Sequence, residues 1–225
     1  MPAPPPTNAA GGSRTHAGAS SQAGASRQDA VRAFKRELIR DAAKEAFSVQ
    51  GIESATVRQI AEMAGYTTGA IYNYFPGGKA ELYAEVLRDS LVKLRTHVGE
   101  TVAAARDRNE GLAAAALTGL WEFYDTHPSD FALGFYLYGA GPRRVGLTHD
   151  LDNQLNTMLN VVIDEIADCL VVDGRVARAD AHHVAVIHST WVFGLLLMKT
   201  TGRVKSLHEV AESMLVDYLR LVASG

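Results

Sequence analysis

The sequence predicts an all-α protein with a small amino-terminal domain and a larger carboxy-terminal helical domain. Three observations support this fold class. Apolar residues recur at spacings of three and four through most of the chain, as they do along one face of a helix. No segment alternates apolar and polar residues as a half-buried strand does. At 225 residues and 47% hydrophobic content, the chain is long and apolar enough for one or two domains with a real core.

The amino-terminal region is predicted to contain a tail and one long helix. Residues 1–28 are rich in Pro, Ala, Gly and Ser and contain no aromatic residue, so they are predicted to be disordered. Residues 29–49 have the apolar periodicity of a helix that ends at Gln50 and Gly51. The residues predicted to face its core are Val31, Phe34, Leu38, Ile39, Ala42, Ala43, Ala46 and Phe47.

Residues 56–75 carry the capping and turn signals of two short helices. Thr56 and Gln59 form a capping-box pattern at the start of the first helix. Gly65 lies where a helix end often needs a left-handed residue, and Thr67 is a suitable cap for the second helix. These signals predict a helix-turn-helix unit packed against the long helix before it.

The second of these short helices has two chemically different sides. Ile71 and Phe75 are four residues apart and are predicted to face the core. The residues predicted to face outward are Thr68, Gly69, Ala70, Tyr72, Asn73 and Tyr74. Hydroxyl, amide and phenol groups on small or apolar bodies suit the base edges of a DNA major groove.

The region from Val31 to Leu91 resembles the DNA-binding domain of the TetR family of transcriptional regulators. The resemblance is carried by the helix ending at Gly51 and by the segment TVRQIAEMAGYTTGAIYNYF. It continues with Lys79 and a following apolar run of Leu82, Tyr83, Val86 and Leu87. The resemblance implies a DNA-binding domain at 29–76 and an effector-binding and dimerisation domain at 77–225, in which 77–96 is the linking helix.

The resemblance also implies a set of DNA contacts. Tyr72, Thr68 and Asn73 are expected to meet bases or nearby phosphates, and Lys79 is expected to pair with a phosphate at a helix start. The full predicted set is Thr56, Arg58, Thr67, Thr68, Gly69, Ala70, Tyr72, Asn73, Tyr74 and Lys79. The tail and first helix also carry basic residues, which either lie along DNA or are simply solvated: Arg14, Arg27, Arg32, Lys35 and Arg36.

Charge and cysteine content agree with this assignment. Residues 1–95 carry 12 basic and 9 acidic residues, whereas residues 96–225 carry 10 basic and 16 acidic residues. The net charge is therefore positive only in the first of these segments. The single cysteine, Cys169, excludes an intrachain disulfide and fits a cytoplasmic protein. The most apolar segment, residues 184–198, is too short for a membrane span and is predicted to be a core or interface helix.

The back half is predicted to consist of further helices around an effector pocket. The helices are expected at about 111–124, 129–138, 151–172, 180–201 and 206–222, with a loop at 139–146. The cluster of aromatic residues is either an ordinary helical core or a pocket for a mostly apolar small molecule, and the family resemblance favours the pocket. Its predicted residues are Trp121, Tyr124, Phe131, Phe135, Tyr138 and Trp191. Arg143 and Arg144 either meet an anionic effector or belong to a solvated loop.

A homodimer is predicted because the helices at 151–172 and 180–201 are apolar on more than one side. Small residues at Ala185, Ser189 and Gly194 would allow close approach of a partner. The predicted interface residues are Leu155, Leu159, Val162, Ile166, Ser189 and Phe193. The family resemblance further implies that the last two long helices form a four-helix interface.

Other functions are disfavoured by what the sequence contains. It has no nucleophile elbow, phosphate-binding glycine loop or carboxylate pair in a recognised motif, so an enzyme and a cofactor are not predicted. His182 and His183 are adjacent and point about 100° apart on a helix, so no metal site is predicted. A repressor released from a palindromic operator by a ligand is the main hypothesis. An activator, a ligand-independent regulator and an adaptor that has lost DNA binding are the alternatives.

Overall fold

A computed structural model describes residue 1, residues 16–135 and residues 148–224 of the chain. Within these ranges the protein forms ten helices and no strand, which confirms the predicted all-α class. In chain order they are α1 (His16–Ser54), α2 (Val57–Ala64), α3 (Thr68–Tyr74), α4 (Gly78–Asp107), α5 (Leu112–Thr126), α6 (Pro128–Gly134), α7 (His149–Val172), α8 (Ala181–Thr200), α9 (Arg203–Ser206) and α10 (Ala211–Ser224).

Two hydrophobic cores organise these helices. The first is formed by α1 to α4 and also contains Leu133 from α6 and Leu155 from α7. The second is formed mainly by α4, α5, α7, α8 and α10. Helix α4 contributes to both cores, with Leu82 and Leu87 in the first and Leu94 and Val98 in the second.

Two polar contacts join the amino-terminal core to α6. The Lys44 ammonium of α1 donates to the Asp130 carboxylate at 2.7 Å, and Asp130 is only 4% exposed. The Tyr83 hydroxyl of α4 donates to the Leu133 carbonyl at 2.5 Å. Helix α6 is therefore attached to the helices that support α2 and α3.

Helix α1 differs from its prediction in two ways. It begins at His16 and not near Asp29, so its first thirteen residues fall in the segment predicted to be disordered. Alanines and glutamine in that segment have good helix propensity, which the composition argument did not weigh. Val31, Phe34 and Leu38 are exposed and are not core residues as predicted, because the helix projects beyond the body that buries Ile39 and the later apolar positions.

Two other boundaries differ from their predictions. Helix α4 continues to Asp107, eleven residues beyond the predicted end of the linking helix, because Leu94, Val98, Val102 and Ala105 extend the buried stripe at helical spacing. Residues 203–206 form the separate short helix α9, so the last helix begins at Ala211 and not near residue 206.

Helix α8 has an unusual balance of hydropathy and burial. It is long and apolar enough to cross a membrane by length and composition alone, but core helices of soluble proteins pass the same test. Only 33% of its most apolar window is buried within the chain. An exposed apolar surface of this extent is typical of an interaction site.

Candidate nucleic-acid interface

The helix-turn-helix unit has the local geometry that its sequence predicts. The Thr56 hydroxyl accepts from the Gln59 backbone N–H at 3.2 Å, and the Gln59 side chain accepts from the Thr56 N–H at 3.0 Å, which completes the capping box. Gly65 ends α2 in the left-handed region with φ 74°. The Thr67 hydroxyl accepts from the Ala70 N–H at 3.2 Å and so caps α3.

These caps leave the two threonines with different donors for DNA. The hydroxyl and the backbone N–H of Thr56 both donate to the Gln59 side-chain oxygen, at 2.9 and 3.0 Å. The Thr67 hydroxyl only accepts at its cap, so its O–H can still donate to a phosphate. Arg58 is highly exposed and forms an ion pair with Glu62 at 3.0 Å. An exposed pair of this kind is weak, so Arg58 is available to exchange its partner for a phosphate.

Helix α3 separates a buried side from an exposed side. Ile71 and the following Phe75 are fully buried in the first core. Thr68, Gly69, Tyr72 and Asn73 are exposed, and Tyr72 has 47% of its surface accessible. Ala70 and Tyr74 are half-buried, so they lie at the edge of the exposed side.

The start of α4 supports the exposed side of α3. Gly78 has φ +61°, and a Cβ at this position would lie 3.1 Å from Cε1 of the Tyr72 ring. Glycine is therefore required here both by backbone conformation and by the neighbouring ring. The Lys79 ammonium donates to the Glu53 carbonyl at 3.1 Å and retains two further N–H donors for a phosphate.

Helix α1 fixes the end of α3 through contacts that the sequence did not reveal. Arg36 donates to the Tyr74 carbonyl, its guanidinium lies 4.2 Å from the centroid of the Phe75 ring, and it pairs with Glu85 at 3.7 Å. Arg36 is thus a structural residue, although the sequence placed it among possible DNA contacts. Arg32 lies 5.8 Å from the centroid of the Tyr74 ring.

The comparisons with known proteins agree with this geometry. Residues 39–86 match the family model described as bacterial regulatory proteins, tetR family. The amino-terminal region is a TetR-family DNA-binding domain. The match spans α2, α3 and the parts of α1 and α4 that enclose them, which are the elements that position the exposed side of α3.

Curated relatives share this same TetR-family region. The transcriptional regulator LmrA of Bacillus subtilis is 33% identical over 79 residues, which cover 35% of this chain and 42% of LmrA. The transcriptional repressor KstR2 of Rhodococcus jostii is 32% identical over 99 residues, which cover 44% of this chain and 48% of KstR2. The matched segments thus span less than half of either relative.

Structural similarity to one solved transcriptional regulator extends over most of the chain. The transcriptional regulator FadR of Bacillus subtilis, solved in complex with stearoyl-CoA, aligns with a TM-score of 0.63 over 84% of this chain and 98% of its own. At 18% identity, this similarity establishes the fold alone. All three relatives are transcriptional regulators and none is an enzyme, as the sequence predicts.

The region that follows the TetR-family domain contains a cavity of about 160 Å³ between α4, α5, α6 and α7. Of the predicted pocket residues, Tyr124 and Phe135 line it, and Phe131 packs directly behind them with ring centroids 5.5 and 4.6 Å away. Its polar lining, which the sequence analysis missed, is Ser90, Asp130, Asp152 and Asn156. Burial and the nearby Asp130 carboxylate raise the pKa of Tyr124 far above its usual value, so its phenol stays protonated.

The other predicted pocket residues lie elsewhere. The Lys199 ammonium lies 5.2 Å from the centroid of the Trp121 ring. The rings of Trp191 and Tyr218 stack with their centroids 3.7 Å apart. Both contacts involve α8 or α10, and neither tryptophan lines the cavity. Tyr138 lies outside the described residues, as do Arg143 and Arg144.

The predicted dimer residues are mostly unavailable to a partner. Leu155, Val162, Ile166 and Ser189 are buried inside the single chain, because their sides of α7 and α8 face the cores of the protein itself. Leu159 and Phe193 are half-buried, and Phe193 packs against Tyr124 and Phe135. The small residues Ala185 and Ser189 face inward as well, whereas Gly194 is exposed.

A different apolar surface is exposed on the last two long helices. We call it the α8–α10 face, and its apolar members are Val186, Ile187 and Leu197 of α8 and Leu221 of α10. On α8 the exposed positions 183, 186, 187, 190, 194 and 197 form one stripe at helical spacing. The sequence contained this periodicity, but it did not indicate which side of α8 the protein's own core would cover.

Proposed function

We propose that the protein is a homodimeric transcriptional repressor that binds a palindromic operator through α3 and is released by a small, mostly apolar ligand. The observation that carries this proposal is the exposed side of α3, where Thr68, Tyr72 and Asn73 stand outward on a helix capped at its start and anchored by Ile71 and Phe75. In helix-turn-helix proteins the second helix enters the major groove in this way.

The α8–α10 face supports a dimer. It joins exposed apolar residues of two adjacent helices, and a second copy related by a twofold axis would cover them with a four-helix arrangement. One α3 helix reads only a few base pairs, so two copies are needed to read a site with half-sites about 34–36 Å apart. We therefore assign the interface to this face and not to Leu155, Val162, Ile166 or Ser189.

The cavity beside α6 supports the ligand. Its volume of about 160 Å³ is close to that of an engineered cavity of roughly 150 Å³ that binds benzene, so it fits a molecule of about one ring. FadR of Bacillus subtilis was solved with stearoyl-CoA, which is much larger than this cavity. The cavity lining combines apolar side chains, which favour an apolar ring, with hydrogen-bonding groups that could orient one. The apolar side chains are Leu87, Leu91, Phe135, Leu155 and Leu159, and the polar ones are Ser90, Tyr124, Asp130, Asp152 and Asn156.

The contacts of α6 suggest how ligand and operator binding are coupled. The Asp130 side chain lines the cavity and also accepts a hydrogen bond from the Lys44 ammonium of α1. On the same helix, the Leu133 carbonyl accepts a hydrogen bond from the Tyr83 hydroxyl of α4. A ligand that moves α6 would therefore move the helices that carry α3. The ligand weakens operator binding if it binds the protein with shifted helices more tightly than the operator-bound protein.

The test is a selection of random duplexes on the purified protein, followed by affinity measurements on the selected duplex. We expect a palindromic site. Tyr72→Ala should lower affinity for it by about 30-fold or more, because a lost base contact costs about 1 kcal/mol or more in each of two half-sites. Tyr72→Phe keeps the ring against Gly78 and separates the role of the hydroxyl from that of the ring.

Leu207→Ala is the matched control, because Leu207 is exposed and lies after α9, in the carboxy-terminal region. It should bind the selected duplex like the unmodified protein. An affinity that is unchanged in Tyr72→Ala, or a selection that enriches no duplex, would refute the proposal. A promoter-reporter assay on the selected site then distinguishes repression from activation.

A further inference from the structure

We propose that the groove between α1 and α3 binds the sugar-phosphate backbone that flanks the operator half-site. The α1–α3 groove, as we call it, has a volume of about 860 Å³. It is lined on one side by Arg27, Arg32 and Lys35 and on the other by Ala70, Asn73 and Tyr74. The inference rests on the proposed function, because it extends the DNA surface of α3 onto α1.

The α1–α3 groove is continuous with the exposed side of α3. Ala70, Asn73 and Tyr74 already belong to the predicted DNA contacts of α3, and they also form one wall of the groove. A duplex that receives α3 in its major groove has a phosphate backbone on each side of that groove. The groove is thus placed next to the position where a backbone must pass.

The α1 side of the groove carries more positive than negative side chains. The α1 wall contributes three cationic side chains and one carboxylate, that of Asp29. Within the described part of the chain, neither Arg27 nor Lys35 forms an ion pair, so both are available for an external anion. They are eight residues apart, which is about 12 Å along a helix, so they would reach different phosphates of one strand.

The rest of the described chain leaves residues 27–34 of α1 largely uncovered. Every residue from 27 to 34 is exposed, including Val31 in the groove. A helical segment without tertiary packing is only marginally stable in water. Its position relative to α3 is nevertheless fixed, because Arg36 in the next turn is held by the Tyr74 carbonyl and the Phe75 ring.

The experiment compares the full-length double variant Arg27→Ala/Lys35→Ala with the charge-matched control Arg203→Ala/Lys205→Ala, which removes two exposed cations from α9. Binding is measured on the selected operator and on a random duplex between 50 and 200 mM salt. Four lost phosphate contacts per dimer should make the slope of log affinity against log salt less negative by about 3.6. The affinity ratio of unmodified protein to variant should then be about 150-fold larger at 50 mM than at 200 mM salt.

Operator and random duplex should be weakened to the same extent, because phosphate contacts do not depend on sequence. The opposite change is expected for Asp29→Asn, which removes the only acidic side chain among the described residues of the groove and should tighten binding to both duplexes. A purely structural role of α1 does not predict this gain. Thermal unfolding of each variant confirms that it is folded.

The two levels of the proposal fail in different ways. If the unmodified protein binds no duplex, the proposed function itself is wrong. If it binds its operator and the Arg27→Ala/Lys35→Ala variant shows the same affinity and salt slope as the control, the groove does not bind the DNA backbone. A loss of affinity on the operator alone would also overturn the inference, because it would indicate base recognition.

Discussion

Replacing Lys44 by Met should destabilise the protein measurably, because it leaves the buried Asp130 carboxylate without its cation. Removing one partner of a buried ion pair costs about 3–5 kcal/mol. The Lys44 side chain is 30% exposed, so water partly screens the pair, and we expect about 2–3 kcal/mol. For a chain of this size, that loss lowers the midpoint of thermal unfolding by about 5–10 °C.

The assay is thermal unfolding followed by circular dichroism at pH 7 and a fixed protein concentration, because the proposed dimer would make the midpoint depend on concentration. Asp130→Asn and the double variant with Lys44→Met complete a double-mutant cycle. The expected coupling is about 1–2 kcal/mol. Arg178→Met is the control, since the Arg178–Asp168 pair is mostly exposed and its loss should change stability very little. A coupling below about 0.5 kcal/mol would show that the Lys44–Asp130 contact does not hold α6 to α1.

Three further predictions concern other parts of the molecule. Gly78→Ala should reduce both the unfolding midpoint and operator affinity, because it strains a backbone at φ +61° and pushes the Tyr72 ring; a variant with unchanged operator affinity would contradict this account. Ile187→Asp should convert the dimer to a monomer in sedimentation experiments, whereas Val172→Asp, at an exposed site outside the α8–α10 face, should not. Burial lowers the pKa of His188, so the unfolded chain binds a proton at this position more readily than the folded chain. The free energy of unfolding should therefore fall as the pH drops below about 6.5. Unfolding scans from pH 7.5 to 5.5 test this, and the fall should be smaller in His188→Gln.

The helix-turn-helix unit could be predicted from sequence because its signals are local. Capping by Thr56 and Thr67 and the turn at Gly65 depend on residues within three or four positions, and all three have the predicted geometry. The burial of Ile71 and Phe75 also follows from helical spacing, since the opposite side of a short helix has few apolar residues. Local chemistry was therefore sufficient for this part of the fold.

Surfaces that depend on tertiary packing could not be predicted in the same way. Val31, Phe34 and Leu38 have the spacing of a core stripe, but the body of the protein ends before it reaches them. On α8, apolar residues occur on every side, so periodicity could not show that Ser189 faces inward and Ile187 outward. The Lys44–Asp130 pair joins residues 86 positions apart, and no sequence pattern links them.

The double role of α4 has a consequence for how the chain unfolds. This helix of 30 residues, about 45 Å long, places buried side chains in both cores without a break. Severing the chain within it would expose Leu94 and Val98 and would also remove Leu133 and Leu155 from the first core. We therefore expect that the amino-terminal region does not fold autonomously and that both halves of the chain melt in one cooperative transition.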